Sequence, residues 1–217
     1  MKNVLTVEGL AYERNSRLLF KQLTFQLFPS QILHIVGANG SGKTTLLQIL
    51  TGLRTPLIGK VMWNGISIEK NNINFTENLL YVNHRLGLKS TLNPVENLYL
   101  YLSRRNLIHK QSKQKVIHDI YQVLEQLNLR DCSKRLLMQL SVGQQRRLSL
   151  AKLLLIKADC WVLDEPFTSL DNAGVAFLSA LMEKHSAEEG SIVFTSHQTN
   201  YSLSSGIKKI FLDPKPC

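Results

Sequence analysis

An eight-residue glycine-rich run, Gly-Ala-Asn-Gly-Ser-Gly-Lys-Thr at residues 37–44, limits the folds open to this 217-residue chain more than any other segment. It follows an apolar stretch at residues 32–36 and leads into a helical pattern that begins at Lys43. Strand, loop and helix in this order are the context of a phosphate-binding loop. The glycines let backbone N–H groups surround phosphate oxygens, and the helix N-terminus adds a favourable dipole. The sequence therefore predicts a nucleotide phosphate site within an α/β fold.

The residues of this loop divide the expected contacts among them. The Lys43 ammonium would reach the β- and γ-phosphates, and the Thr44 hydroxyl would coordinate Mg²⁺. The other nucleotide-binding candidates in and beside the loop are Gly37, Asn39, Gly40, Ser41, Gly42 and Thr45. A chance glycine-rich turn is the alternative, which eight matching positions in the right context disfavour.

Short apolar runs alternate with longer periodic segments along the chain, which indicates α/β architecture. Strands are predicted at residues 4–7, 32–36, 79–82, 160–163 and 192–195. Helices are predicted to start at Lys43, Pro94 and Gly143, and around Lys113 and Asn172. Residues 59–65 predict an antiparallel piece with a turn, because they end in Asn-Gly. Residues from about 95 to 135 are polar and helical, which favours a helical subdomain inserted into the core.

Two adjacent acids, Asp164 and Glu165, follow the apolar strand predicted at residues 160–163. Ionised carboxylates at the end of a buried strand are costly unless a metal or hydrogen bonds compensate them. Asp164 therefore fits an acid that acts on Mg²⁺ largely through water, and Glu165 fits the general base that polarises the attacking water. A helix N-cap before Pro166 is the alternative, and the phosphate loop in the same chain weakens it.

A capped helix start lies about twenty residues before the acids and reads Leu-Ser-Val-Gly-Gln-Gln-Arg-Arg at residues 140–147. Ser141 predicts the N-cap, and such a helix start suits an anionic γ-phosphate. Ser141, Gly143 and Gln144 are therefore candidate nucleotide contacts. The segment resembles the signature sequence of ABC-type ATPases, usually Leu-Ser-Gly-Gly-Gln, with Val142 in place of a glycine.

This resemblance to ABC nucleotide-binding domains covers essentially the whole chain. It implies a P-loop NTPase fold for a single domain at residues 1–217: a RecA-like core, an antiparallel β subdomain, and a helical subdomain at about residues 95–150. Residues 169–171, Ser-Leu-Asp, match the family's D-loop. By the same resemblance His197 matches the switch histidine that contacts the γ-phosphate, and Tyr12 lies where an aromatic ring stacks on adenine. ATP and Mg²⁺ are the implied cofactors.

The segment after the third predicted strand departs from most transporter ATPases. Aligned with them, it places His84 where a glutamine normally reaches Mg²⁺ and the attacking water. A neutral imidazole can also hydrogen-bond to water, and a purely structural histidine is the alternative. Residues 83–89 and 92–98 resemble the haem-exporter ATP-binding subunits of the cytochrome c maturation system, although Asn83 replaces a glycine of that family.

The resemblance implies an ATP hydrolase that powers a membrane complex, most specifically for haem export or handling in cytochrome c biogenesis. Two chains are expected to pair head to tail around two ATP molecules, with integral membrane subunits supplied by other chains. The expected location is peripheral, on the cytoplasmic face of the inner membrane. We expect no nucleic-acid partner and propose no direct haem ligand. The ATPase of another ABC transporter, or a soluble nucleic-acid-associated ABC protein, remains the alternative.

Composition agrees with such a location but does not decide the partner. The net charge is +10, and residues 101–160 carry 12 basic and 4 acidic side chains. This surplus would suit nucleic acid, anionic headgroups or an acidic partner. The sequence contains no apolar run of the ~18–20 residues that a spanning helix needs. Its three cysteines, Cys132, Cys160 and Cys217, are odd in number and widely spaced, which favours reduced thiols over disulfides.

Overall fold

A computed structural model describes residues 5–69, 73–105, 112–198, 201–203 and 206–212. The strands are β1 (Leu5–Arg14), β2 (Arg17–Leu27), β3 (Ile32–Gly37), β4 (Ile58–Trp63), β5 (Ile66–Ser67), β6 (Leu79–Val82), β7 (Cys160–Leu163), β8 (Ser191–Thr195) and β9 (Lys208–Leu212). The helices are α1 (Lys43–Leu50), α2 (Ile73–Asn78), α3 (Pro94–Arg104), α4 (Lys113–Gln126), α5 (Val142–Leu155) and α6 (Asn172–Ala187).

The chain divides into two compact units. The first, which we call the core unit, comprises Met1–His84, Ala158–Phe167 and Val175–Cys217. The second, the helical unit, comprises Arg85–Lys157 and Thr168–Gly174.

A parallel sheet with strand order β6-β7-β8-β3-β9 organises the core unit. Every residue of β7 and β8 is buried, as expected of parallel strands with both faces covered. Because β3, β7 and β8 run in the same direction, the residues that follow them meet at one edge of the sheet. That edge receives the glycine-rich loop after β3 and the acid pair after β7, although they are at least 120 residues apart in sequence.

An antiparallel sheet of order β2-β1-β4-β5 completes the core unit. Leu5 and Trp63 of this sheet belong to one hydrophobic cluster with Ile35 of β3, Leu46 of α1 and Val162 of β7. Each of these side chains is at most 2 % exposed. This cluster therefore fixes the strand and the helix on either side of the glycine-rich loop.

The helical unit contains α3, α4 and α5. Asn97 of α3 holds the preceding segment in place: its side-chain oxygen accepts from Lys89 N–H at 2.7 Å, and its amide nitrogen contacts the Lys89 and Leu92 carbonyls at 3.0 and 3.1 Å. Lys152 of α5 is buried, with its ammonium 3.3 Å from the Leu86 carbonyl. Burial, reinforced by repulsion from Arg146, lowers the pKa of Lys152 to about 8.

The structure confirms most of the predicted elements. The predicted helix starts at Lys43, Pro94, Lys113 and Asn172 are observed, and α5 begins one residue earlier than predicted, at Val142. Strands β2 and β9 and the short helix α2 were not predicted.

Within the described ranges, no helix is long and apolar enough to cross a bilayer. Cys132 and Cys160 are buried free thiols, and Cys217 lies outside the described residues.

Candidate active site

The glycine-rich loop joins β3 to α1 in a conformation that only glycine supports at two points. Gly42, the N-cap of α1, has a φ of +98°, which is strained for any residue with a side chain. A Cβ at Gly37 would lie 2.7 Å from the Leu212 carbonyl oxygen of β9 and would overlap Ser41 Oγ. The backbone path therefore requires glycine at both positions. The start of α1 has no side-chain cap, so its N–H groups are available to an anion.

The other loop residues take different positions. Asn39 and Gly40 are exposed at the tip, whereas Ser41 and Thr45 are buried. The Ser41 hydroxyl oxygen is buried and has no hydrogen-bond partner within the part of the chain that the structure describes. Buried polar atoms are normally paired. An unpaired hydroxyl inside the loop therefore fits a site whose phosphate ligand supplies the missing partner.

Lys43 lies at the centre of the site. Its ammonium donates to the carbonyls of Gly37 at 2.8 Å and Ala38 at 3.2 Å, and it lies 3.0 Å from His197 Nε2. Burial lowers the pKa of Lys43, and the nearby carboxylates of Glu165 and Asp164 partly offset that effect. The ammonium is thus held inside the loop by neutral acceptors, which fits a site for an anionic ligand.

Asp164, which is 1 % exposed, is surrounded by hydroxyl donors. Thr44 Oγ1 donates to Asp164 Oδ2 at 2.9 Å, and Thr195 Oγ1 donates to Oδ1 at 2.9 Å. These bonds compensate the desolvation of a buried carboxylate. The carboxylate and the exposed Thr44 hydroxyl form a hard-oxygen pair, which fits Mg²⁺ because that ion uses few protein ligands and keeps several waters.

Glu165 has a left-handed backbone, with a φ of +50°. Such a conformation costs a non-glycine residue about 1–3 kcal/mol and often marks a functional site. The Glu165 N–H donates to Thr195 Oγ1 at 2.9 Å, so the same hydroxyl that donates to Asp164 also holds the second acid. Oε2 of Glu165 accepts from the His197 N–H at 3.1 Å. The carboxylate is therefore directed toward the segment after β8.

His197 connects the acid pair to the phosphate loop. Its Nε2 lies 3.0 Å from Lys43 Nζ and 3.4 Å from Glu165 Oε1. Because an ammonium only donates, Nε2 accepts from Lys43, and the neutral ring then carries its proton on Nδ1. The structure thus brings together Lys43, Thr44, Asp164, Glu165 and His197, whose roles in binding and catalysis stay predictions.

The signature candidates lie in the helical unit. Ser141 is the N-cap of α5 and forms a capping box with Gln144: the Ser141 Oγ accepts from the Gln144 N–H at 3.2 Å, and Gln144 Oε1 accepts from the Ser141 N–H at 2.9 Å. Val142 is 67 % exposed, and a Cβ at Gly143 would lie 3.2 Å from the Ser169 carbonyl. The start of α5 is therefore capped yet accessible.

The positions of the two other candidate site residues, His84 and Tyr12, do not by themselves indicate a role. His84 is exposed, two residues beyond the end of β6, and makes no hydrogen bond to any residue that the structure describes. The Tyr12 hydroxyl of β1 accepts from Arg54 Nη1 at 2.7 Å, and the guanidinium carbon lies 5.5 Å from the ring centroid. The roles of His84 and Tyr12 stay predictions.

Sequence reasoning missed Thr195 and Arg54. Thr195 is a polar residue at the end of a predicted strand, just before the Ser-His pair. Because this strand ends at the same edge of the sheet as the strand before the acids, its position was a signal that Thr195 could contact them. Arg54 lies in an irregular stretch after α1, and nothing in the local sequence indicated that it reaches Tyr12.

Comparison with known proteins gives consistent matches. The ABC transporter family profile matches residues 20–168. The chain is 39 % identical over 209 residues to the cytochrome c biogenesis ATP-binding export protein CcmA of Yersinia pestis, covering 96 % of this chain and 93 % of that protein. It is 36 % identical to the protein of the same name from Vibrio cholerae, covering 98 % and 100 % of the two chains.

Solved structures support the fold. An ATP-binding subunit of an ABC transporter superposes with a TM-score of 0.78 at 21 % identity, covering 89 % of this chain and 79 % of the other. An ABC transporter ATP-binding protein from Pyrococcus furiosus also gives a TM-score of 0.78, at 24 % identity, covering 96 % of each chain.

Proposed function

Because the chain belongs to the ABC transporter family, and within it to the cytochrome c biogenesis ATP-binding export proteins, we propose that it hydrolyses ATP to drive haem export or handling during cytochrome c biogenesis. The observation that carries the proposal is the convergence of Lys43, Asp164, Glu165 and His197 at one sheet edge. The relatives are matched over nearly their whole length, and their names support a substrate that is exported during cytochrome c biogenesis.

The described side chains support a separate role for each residue in ATP binding and hydrolysis. The N–H groups at the start of α1 and the Lys43 ammonium bind the phosphates of ATP. Thr44 and Asp164 hold Mg²⁺, which when bound neutralises phosphate charge. Glu165, fixed by Thr195 and by the His197 N–H, accepts a proton from the attacking water.

We further propose a head-to-tail homodimer. Each chain has one phosphate loop and one signature helix, so a second copy would complete each ATP site. The exposed start of α5 supports this arrangement, because a 14-residue helix presents a positive dipole end to an anion. Integral membrane subunits on other chains would transmit the motion, and the chain would lie peripherally on the cytoplasmic face of the inner membrane.

Purification through an affinity tag from detergent-solubilised membranes tests the assignment. We expect an integral membrane protein to co-purify, haem to be detected in the complex by its absorbance spectrum, and ATP hydrolysis by the complex. An untagged strain provides the control. Recovery of ribosomes instead would favour the nucleic-acid function that the +10 charge allows, and a membrane partner without haem would favour another transported solute.

Replacing His84 with alanine tests the unusual residue after β6. We expect the ATPase rate of the membrane complex to fall about five- to tenfold. This is the effect of losing one hydrogen bond, from the His84 imidazole to the attacking water. The exposed side chain has no described partner to lose, so thermal unfolding should be unchanged. The matched control is His118→Ala, which removes another exposed histidine from α4. Equal rates for both variants would reduce His84 to a surface residue.

A further inference from the structure

A buried histidine in β3 has no part in the chemistry described so far. His34 is 6 % exposed and lies three residues before Gly37, in a strand that is otherwise apolar or glycine. Its ring stacks on Phe194 of β8, with centroids 4.5 Å apart and planes 9° from parallel. An apolar side chain would satisfy such a site, so the two ring nitrogens require an explanation.

Both nitrogens have partners in the segment after β8. Nε2 lies 3.3 Å from the Ser196 carbonyl oxygen, and Nδ1 lies 3.0 Å from the Tyr201 hydroxyl. A carbonyl only accepts, so Nε2 carries the proton and donates, while Nδ1 accepts from the Tyr201 O–H. One neutral tautomer of His34 therefore satisfies its own ring nitrogens, the Ser196 carbonyl and the Tyr201 hydroxyl. Burial lowers the pKa of His34, which favours this neutral form.

Tyr201 also reaches the segment that carries Glu165, the proposed general base. Its ring stacks on Phe167 with centroids 5.1 Å apart and planes 17° from parallel. Phe167 is fully buried and lies two residues after Glu165. Tyr201 is thus held between His34 and the residues that follow β7, which limits the positions its hydroxyl can take.

The bond from His34 falls on a peptide group that also contacts the active site. The Ser196 carbonyl and the His197 N–H belong to the same planar peptide unit. His34 holds its oxygen end, and Glu165 Oε2 accepts from its N–H end at 3.1 Å. Because the unit is rigid, tilting the carbonyl would also turn the N–H away from the carboxylate. Ser196 Oγ, which accepts from the Gln198 N–H at 3.0 Å, stabilises the same turn.

We propose that His34 and Tyr201 are positioning residues for ATP hydrolysis, which orient the Ser196–His197 peptide so that its N–H fixes the Glu165 carboxylate. The proposal rests on the proposed function, because it assigns these residues to the hydrolytic step. Neither residue contacts the phosphate loop through a hydrogen bond in the described structure, so nucleotide affinity is expected to be independent of them.

Three variants of the full chain test the proposal. His34→Leu removes the donor, His34→Gln keeps an amide N–H that can reach the Ser196 carbonyl, and Tyr201→Phe removes only the hydroxyl. We expect kcat to fall about tenfold in His34→Leu with KM for ATP unchanged, as for loss of one aligned hydrogen bond. His34→Gln should recover most of kcat. Tyr201→Phe should lower kcat two- to threefold, since the tautomer is then less firmly fixed.

Amide hydrogen exchange provides a readout that does not depend on activity. In the nucleotide-free chain, peptides that contain the His197 amide should exchange faster in His34→Leu and Tyr201→Phe, and His34→Gln should restore protection. The controls are His185→Leu, which removes another aromatic-stacked histidine, and Tyr121→Phe in α4. Both should leave kcat and this exchange unchanged.

Unchanged kcat and unchanged exchange in His34→Leu would overturn the proposal, as would equal defects in His34→Gln and His34→Leu. If His34→Leu does not fold, the milder Tyr201→Phe variant still tests the proposal through the His197 amide. If the wild-type chain and its membrane complex do not hydrolyse ATP, the proposed function fails, and this assignment to the hydrolytic step falls with it.

Discussion

Replacing Glu165 with glutamine is expected to lower ATP hydrolysis by about 10²–10⁴-fold, the usual contribution of a general base. The amide cannot take a proton from water, yet its oxygen can still accept from the His197 N–H, so the geometry should persist. ATP should therefore bind normally and hold two chains together. Steady-state phosphate release measures the first effect, and size-exclusion chromatography with ATP measures the dimer.

Glu188→Gln is the matched control, because it makes the same chemical change at an exposed residue beyond α6, whose carboxylate lies 3.9 Å from the Lys184 ammonium. It should leave turnover and oligomeric state unchanged. Wild-type turnover in Glu165→Gln would remove Glu165 from the role of base and would leave its left-handed backbone without a functional explanation.

Replacing Lys43 with alanine should lower kcat/KM for ATP by about 10²–10³-fold, because it removes a charged donor aimed at the phosphates. Unlike Glu165→Gln, this variant should also bind ATP weakly and should not form an ATP-dependent dimer. The Gly37 and Ala38 carbonyls and His197 Nε2 would lose their common partner, so the nucleotide-free loop should also become less ordered. Titration with a fluorescent ATP analogue measures the affinity.

The control for this variant is Lys60→Ala, which removes an exposed lysine paired with Glu8 at 3.2 Å. An exposed pair of this kind contributes little to stability, about 0–1 kcal/mol. Nucleotide affinity should match the wild type. Wild-type affinity in Lys43→Ala would instead mean that the loop amides alone hold the phosphates.

The parts of the fold predicted from sequence are those with strong local signals. Asn93 caps α3 with Glu96, and Ser141 caps α5 with Gln144, so both helix starts are written in four consecutive residues. Strand β2 was missed because its turn from β1 uses Asn15 and Ser16, both with positive φ, rather than a glycine-containing pair. Strand β9 begins with two lysines and acquires its strand structure by pairing with β3, more than 170 residues away.

The sequence by itself determined the candidate residues of the proposed phosphate site: Lys43 and Thr44 in a glycine-rich loop, and Asp164 and Glu165 after an apolar strand. Each depends on a short segment whose backbone preferences and end groups act locally. Only the tertiary structure decided that Thr195 bonds to both acids and that His34 reaches the peptide before His197. The physical reason is the strand order β7-β8-β3, which brings together residues 30 to 162 positions apart through pairings that no single segment encodes.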